Sequence, residues 1–179
     1  SGNSRTDNSL TVHGNYAGSG GRLLLQSALG DDASPSDKLV VNNGTLRFAR
    51  SDAATLGGAI SGSGGLQVQS GSLILMGNSS YAGATHIAAG ATLQLGNGGT
   101  AGSITSNVAN AGTFAFNGAG ALAYDGAISG SGTLRQIGSG TTMLTGDSSG
   151  FTGTTQVEAG ILSVNGRLGG AVTVMGGGQ

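Results

Sequence analysis

Short stretches of alternating apolar and polar residues recur along the chain. Leu66 and Val68 alternate with Gln67 and Gln69, and Leu93 and Leu95 alternate with Thr92 and Gln94. Phe114 and Phe116 flank Ala115, Leu162 and Val164 flank Ser163, and Val172 and Val174 flank Thr173. Each run is three to six residues long and is bounded by Gly, Asn or Ser. Period-two alternation over so few residues predicts short strands with one buried face. A sandwich or barrel calls for longer strands joined by two-residue hairpin turns, and that spacing is absent.

The strands repeat at two scales. Residues 58–66 read GAISGSGGL and residues 126–134 read GAISGSGTL, and the likeness continues from MGNSSYAGATHIAAGATLQLG (76–96) to TGDSSGFTGTTQVEAGILSVNG (145–166). The offset is 68 to 70 residues. A weaker period near 20 residues spaces the apolar pairs Leu46/Phe48, Leu66/Val68, Leu93/Leu95 and Phe114/Phe116. Several short strands per period describe one turn of a solenoid. At about 20–25 residues per turn the chain would make roughly eight turns, and at about 4.8 Å between stacked strands it would be about 40 Å long. The core column expected from this pattern contains those four pairs together with Leu162 and Val164. Gly90 and Gly160 are expected at sharp corners that need positive φ.

Composition supports order built from strands. Glycine supplies 38 of the 179 residues, roughly three times its usual share. Such chains are often disordered, but here 37% of residues are hydrophobic and regularly spaced. Long helices are disfavoured, since each interior Gly costs about 1 kcal/mol relative to Ala. The single proline, Pro35, excludes collagen. Charge is sparse, with 7 basic and 8 acidic residues and a net charge of −1. Nothing here neutralises a row of phosphates, so nucleic acid is not an expected partner. No apolar run approaches the roughly 20 residues that cross a bilayer, so the chain is not expected to span a membrane. Cysteine is absent, which excludes disulfides and thiolate metal sites and suits a chain that crosses an oxidising compartment unfolded. No signal peptide is visible, so a targeting segment is expected to have been removed or to lie outside this sequence.

The candidate chemistry is thin. Gly146-Asp147-Ser148-Ser149-Gly150 matches the nucleophile pattern G-x-S-x-G, which needs a strand-to-helix elbow that is not predicted here. The equivalent stretch, Gly77-Asn78-Ser79-Ser80-Tyr81, keeps the turn and loses the motif. His13 and His86 are the only histidines and do not share metal-ligand spacing. Asp31, Asp32 and Asp37 offer oxygen ligands of the kind Ca²⁺ takes, but without EF-hand spacing or a Gly-Gly-x-Gly-x-Asp repeat. A solvated turn stiffened by Pro35 is the simpler reading. Gly118-Ala119-Gly120-Ala121-Leu122-Ala123 resembles a loose dinucleotide fingerprint with no βαβ unit around it. Tyr16, Tyr81, Tyr124 and Phe151 sit beside glycines near turns, where aromatic rings either stack on sugars or close core corners. Tyr81 and Phe151 fall at equivalent repeat positions, which favours the core. No catalytic residue, cofactor or metal is expected.

The segment NNGTLRFARSDAATLGGAISGSGGLQVQSGSLILMGNSSYAGATHIAAGATLQLG (42–96) resembles the autotransporter-associated β-strand repeat of passenger domains. Residues 126–166 resemble it too, and RLGGAVTVMGGG (167–178) is similar to a further turn of that family. LTVHGNYAGSGGRLLLQSALGDDASPSDKLVVNNG (10–44) resembles the pertactin-like, or autochaperone-like, region. In the family that region follows the strand repeats, whereas here it precedes them. The resemblance implies a single-stranded, right-handed parallel β-helix of pertactin type. Residues 1–9 are then a flexible N-terminal segment or cloning remnant, 10–44 the autochaperone-like segment, and 45–179 one continuous solenoid with internal repeats at 58–99 and 126–170. No translocator sequence follows Gln179, so a fragment or processed product is expected.

As a function, the resemblance implies a structural stem of a type V secretion passenger that supports its own translocation and folding. The expected location is the surface of a Gram-negative bacterium, on the extracellular face of the outer membrane, or the medium. Its implied partners are its own translocator β-barrel and the rest of the passenger. An adhesin module, associated with virulence and binding a host ligand or a second copy between cells, is the alternative. A polysaccharide lyase or hydrolase is the weakest reading, because such grooves need clustered acids and bases.

Overall fold

The computed structural model describes residues 4–6, 9–12, 22–24 and 39–179. Every described element is a strand. Ser4–Thr6 and Ser9–Val12 pair antiparallel, and every other strand pair is parallel. The strands stack as a β-solenoid of about 7 turns.

Each turn is built from short walls separated by glycine-rich corners. On the first wall Leu23 lies in register with Leu46, then Leu66, Thr85, Val108 and Ile128. On the second, Ala54 is followed by Leu73, Leu93, Phe114, Leu134, Thr155 and Val172. A further wall aligns Leu122 with Thr142 and Leu162. Among the described side chains, alternation along each strand turns the residues from Leu46 to Ile128 and from Leu73 to Thr155 inward, where successive turns cover one another. The result is one continuous core.

Leu46, Phe48, Leu66, Val68, Leu93, Leu95, Phe114 and Phe116 are all buried. The Phe114 ring lies 4.7 Å from Phe116 and 5.8 Å from Tyr124, and Phe116 lies 6.0 Å from Tyr124. These separations suit edge-on and tilted aromatic contacts. Tyr81 and Phe151 are also buried, so the rings close corners of the core and offer no platform for sugars. Leu162 is partly buried against the core. Val164 departs from the expected core and is 43% exposed. It continues the column above Leu144, but Ala171–Gly178 stacks on the chain only as far as Gly160, so nothing described covers Val164.

The internal repeat does not coincide with the turns. Local pairings are preserved: Leu66 pairs with Thr85 and its equivalent Leu134 with Thr155, while Ser72 pairs with Thr92 and Thr141 with Ile161. Yet the column that leaves Leu66 arrives at Ile128, not at Leu134. Leu134 stands on the neighbouring wall. One sequence repeat therefore advances three turns and one wall.

Candidate functional site

In a solenoid the working surface is the interface between turns, because each turn contacts only its neighbours. Buried backbone groups there must find partners. Two polar devices supply them, and each occurs once per repeat. The amide Nδ2 of Asn42 donates to Gly65 O at 2.8 Å, and that of Asn110 donates to Thr133 O at 2.9 Å. Both asparagines are fully buried. Above them, Gly62 and Gly130 adopt φ of 103° and 98°. A Cβ on either glycine would overlap the carbonyl oxygen of Asn42 or Asn110. In the second device the hydroxyl of Ser79 accepts from Ile60 N at 3.0 Å, and that of Ser148 accepts from Ile128 N at 2.9 Å. Sequence reasoning did not single out Asn42 and Asn110, and it met Ser148 and Ser79 only as the G-x-S-x-G match and its repeat counterpart. The signal was present, because identical residues recur at the repeat offset.

A buried hydroxyl network joins the turns around residue 85. The phenol of Tyr81 lies 2.6 Å from Thr85 Oγ1, which lies 2.7 Å from Ser106 Oγ. Tyr124 donates its hydroxyl to Ser106 O at 2.7 Å. Burial pushes the Tyr81 phenol above its ordinary range, against the opposing hydrogen bonds from Ser106 and Thr85. Burial also raises Tyr124, with Tyr81 and Asp125 adding to the effect. Both phenols stay neutral and act as hydrogen-bonding spacers.

Ion pairs also bridge turns on the outside. Arg135 grips Glu158 through two bonds, Nε to Oε1 at 2.6 Å and Nη2 to Oε2 at 2.9 Å. The hydrogen bonds from Arg135 hold the Glu158 carboxyl below its usual range, partial burial opposes this, and the guanidinium charge adds to the lowering. Arg167 lies 4.0 Å from Asp147.

The described motif residues stand at separate places on the solenoid. Ser148 is buried and its hydroxyl is bonded to the turn below, while Asp147 Oδ1 accepts from Ser149 N at 3.0 Å. That hydrogen bonding holds the Asp147 carboxyl low, with Arg167 contributing last. The stretch is thus a turn with an aspartate cap, and its serine bonds the neighbouring turn as Ser79 does. His86 is exposed on the first wall, in register with Gln67 and Ala109. Gly118 and Gly120 precede the strand Ala121–Tyr124, with no helix after them. Gly90 and Gly160 have φ of 80° and 62°. His13, Tyr16, Asp31, Asp32 and Asp37 lie outside the described residues. Among the described residues no group of three His, Asp or Glu side chains could hold a metal ion. Among them, too, no helix is long and apolar enough to cross a membrane.

At the far end, Val172 and Val174 continue the inward columns of Thr155 and Val157 but are 55% and 56% exposed. Stacked parallel turns joined by in-register polar locks define a parallel β-solenoid. The family model described as Autochaperone Domain Type 1 matches residues 1–115, and that described as Passenger-associated-transport-repeat matches residues 134–164. The first match covers more than half of the chain, which belongs to the Autochaperone Domain Type 1 family. Both families are features of autotransporter passengers, and the chain is passenger material. No curated protein and no solved structure matches it.

Proposed function

We propose that this chain is a non-catalytic stem of an autotransporter passenger whose formed turns template the folding of neighbouring passenger, drawing it outward and holding it at the Gram-negative cell surface. The observation that carries the reading is the inter-turn register. The Asn42 and Asn110 amides and the Ser79 and Ser148 hydroxyls each satisfy a backbone group of an adjacent turn. A turn that docks thereby fixes the register of the next, and each docking step releases free energy without ATP. The hydroxyl of Ser148, taken up by Ile128 N, speaks for a structural rather than a nucleophilic serine.

The test is secretion rescue. A passenger lacking its own junction region is supplied with the whole chain or with the Asn42→Ala/Asn110→Ala variant, and surface-exposed passenger is counted. Rescue by the whole chain and its loss in the variant is the expected result. A folded chain that never rescues secretion overturns the templating role. An adhesive role is the second reading, favoured by a groove on the first wall.

A further inference from the structure

The outer surface of the first wall carries a shallow cavity of about 410 Å³ that runs across four successive turns. Such a volume falls within the range of ligand sites, about 300–1,000 Å³. Gln67 and Gln69 line it on one turn, His86 and Ala88 on the next, and Ala109 and Ala111 on the third. Gly130 closes the far end. Gln67, His86 and Ala109 stand in register, so the polar groups lie at one end and small side chains at the other. No charged residue lines the cavity.

The internal repeat provides a control. The positions equivalent to Gln67 and Ala88 hold Arg135 and Glu158. There the two side chains meet in the bidentate ion pair and bridge the corner between turns. In the first copy the same corner is left open by a neutral glutamine and a methyl group.

We infer that this groove is a binding site for a neutral oligosaccharide lying along the solenoid axis. Side-chain amides and an imidazole both donate and accept hydrogen bonds, as sugar hydroxyls do. The methyl and glycine surface of Ala88, Ala109, Ala111 and Gly130 accommodates the C–H faces of a pyranose ring. The uncharged lining offers nothing to a carboxylated or sulfated glycan. A peptide has no open strand edge to extend on this wall, because Gln67, His86, Ala109 and Ser129 already lie in one parallel ladder. Turns spaced by about 4.8 Å make the groove about 10–15 Å long, the reach of a short oligosaccharide. Among the described residues the aromatic rings are buried, so recognition here works through hydrogen bonds rather than stacking. The inference deepens the adhesive reading and does not depend on the secretion role.

The experiment titrates the whole chain with cellotriose, chitotriose, maltotriose and a neutral galactose-containing trisaccharide. A sialylated trisaccharide and an extended hexapeptide serve as comparisons. The readout is the NMR shift of the His86 imidazole and the Gln67 and Gln69 amides. A saturable shift with at least one neutral sugar is expected. The Gln67→Arg/Ala88→Glu variant transplants the ion pair from the second copy and should weaken that binding about tenfold or more. His86→Ala, at an exposed position, should weaken it without touching the fold. No saturable shift with any neutral sugar overturns the proposal, as does a preference for the sialylated sugar or the peptide, or undiminished binding in a folded transplant variant. Secretion rescue run on the transplant variant keeps the two roles apart, since its loss of binding should leave rescue intact.

Discussion

Replacing Gly90 and Gly160 by alanine separates backbone strain from collision between turns. Both glycines hold positive φ, 80° and 62°. An alanine in that conformation costs about 1–2 kcal/mol, offset by about 0.4–1 kcal/mol from the lower entropy of the unfolded chain. At Gly90 a new Cβ would meet nothing within 4 Å, so strain is the whole cost. Gly90→Ala should lose about 0.5–1 kcal/mol. At Gly160 the Cβ would overlap the carbonyl oxygens of Gly138 and Gly140 and stand 2.8 Å from the carbonyl carbon of Ser139. Those atoms are backbone of the turn below and cannot swing aside. Overpacking adds about 1–3 kcal/mol, so Gly160→Ala should lose about 2–4 kcal/mol. With a urea slope of about 2 kcal/mol per molar, the midpoints should fall by less than about 0.5 M and by about 1–2 M respectively. Urea unfolding followed by circular dichroism measures both. Hydrogen exchange should show the second loss concentrated at residues 138–140 and 160. Gly90→Asn should be nearly silent, because asparagine tolerates the left-handed region. Equal losses at the two positions would refute the collision argument, and a costly Gly90→Asn would refute the strain argument.

Stability should fall in acid through Glu158, whose folded carboxyl titrates below its unfolded value because Arg135 hydrogen-bonds it. Its contribution is full above about pH 4.3 and is lost as pH drops through the lowered folded value. The pair is partly exposed, so the effect should stay within about 1 kcal/mol, and a pH series of urea melts on Glu158→Gln should lack that step. Ser148→Ala and Ser79→Ala each strand a backbone donor, Ile128 N or Ile60 N. Each should cost about 1–3 kcal/mol in the same melts, and a loss below a few tenths at both sites would show that the locks do not matter.

The sequence alone determined the solenoid. Short runs with period two and a spacing near 20 residues can bury their apolar face only by stacking turn on turn, so Leu46, Leu66, Leu93 and Phe114 were legible as core before any register was known. The repeat also carried the two polar locks, as recurrences of Asn42 at 110 and Ser79 at 148. Tertiary structure decided which wall each residue joins. Three turns along the first wall carry the chain from Leu66 to Ile128, whereas the sequence repeat carries it on to Leu134, so the repeat overshoots the turns and stands one wall further on. Tertiary structure also decided that Val164 stays exposed, since burial depends on the turn above and not on the strand itself. The groove at Gln67 and His86 is of the same kind. Its residues are ordinary outward positions in the sequence, and only the stacking of successive turns, with no ion pair bridging the corner, brings them together.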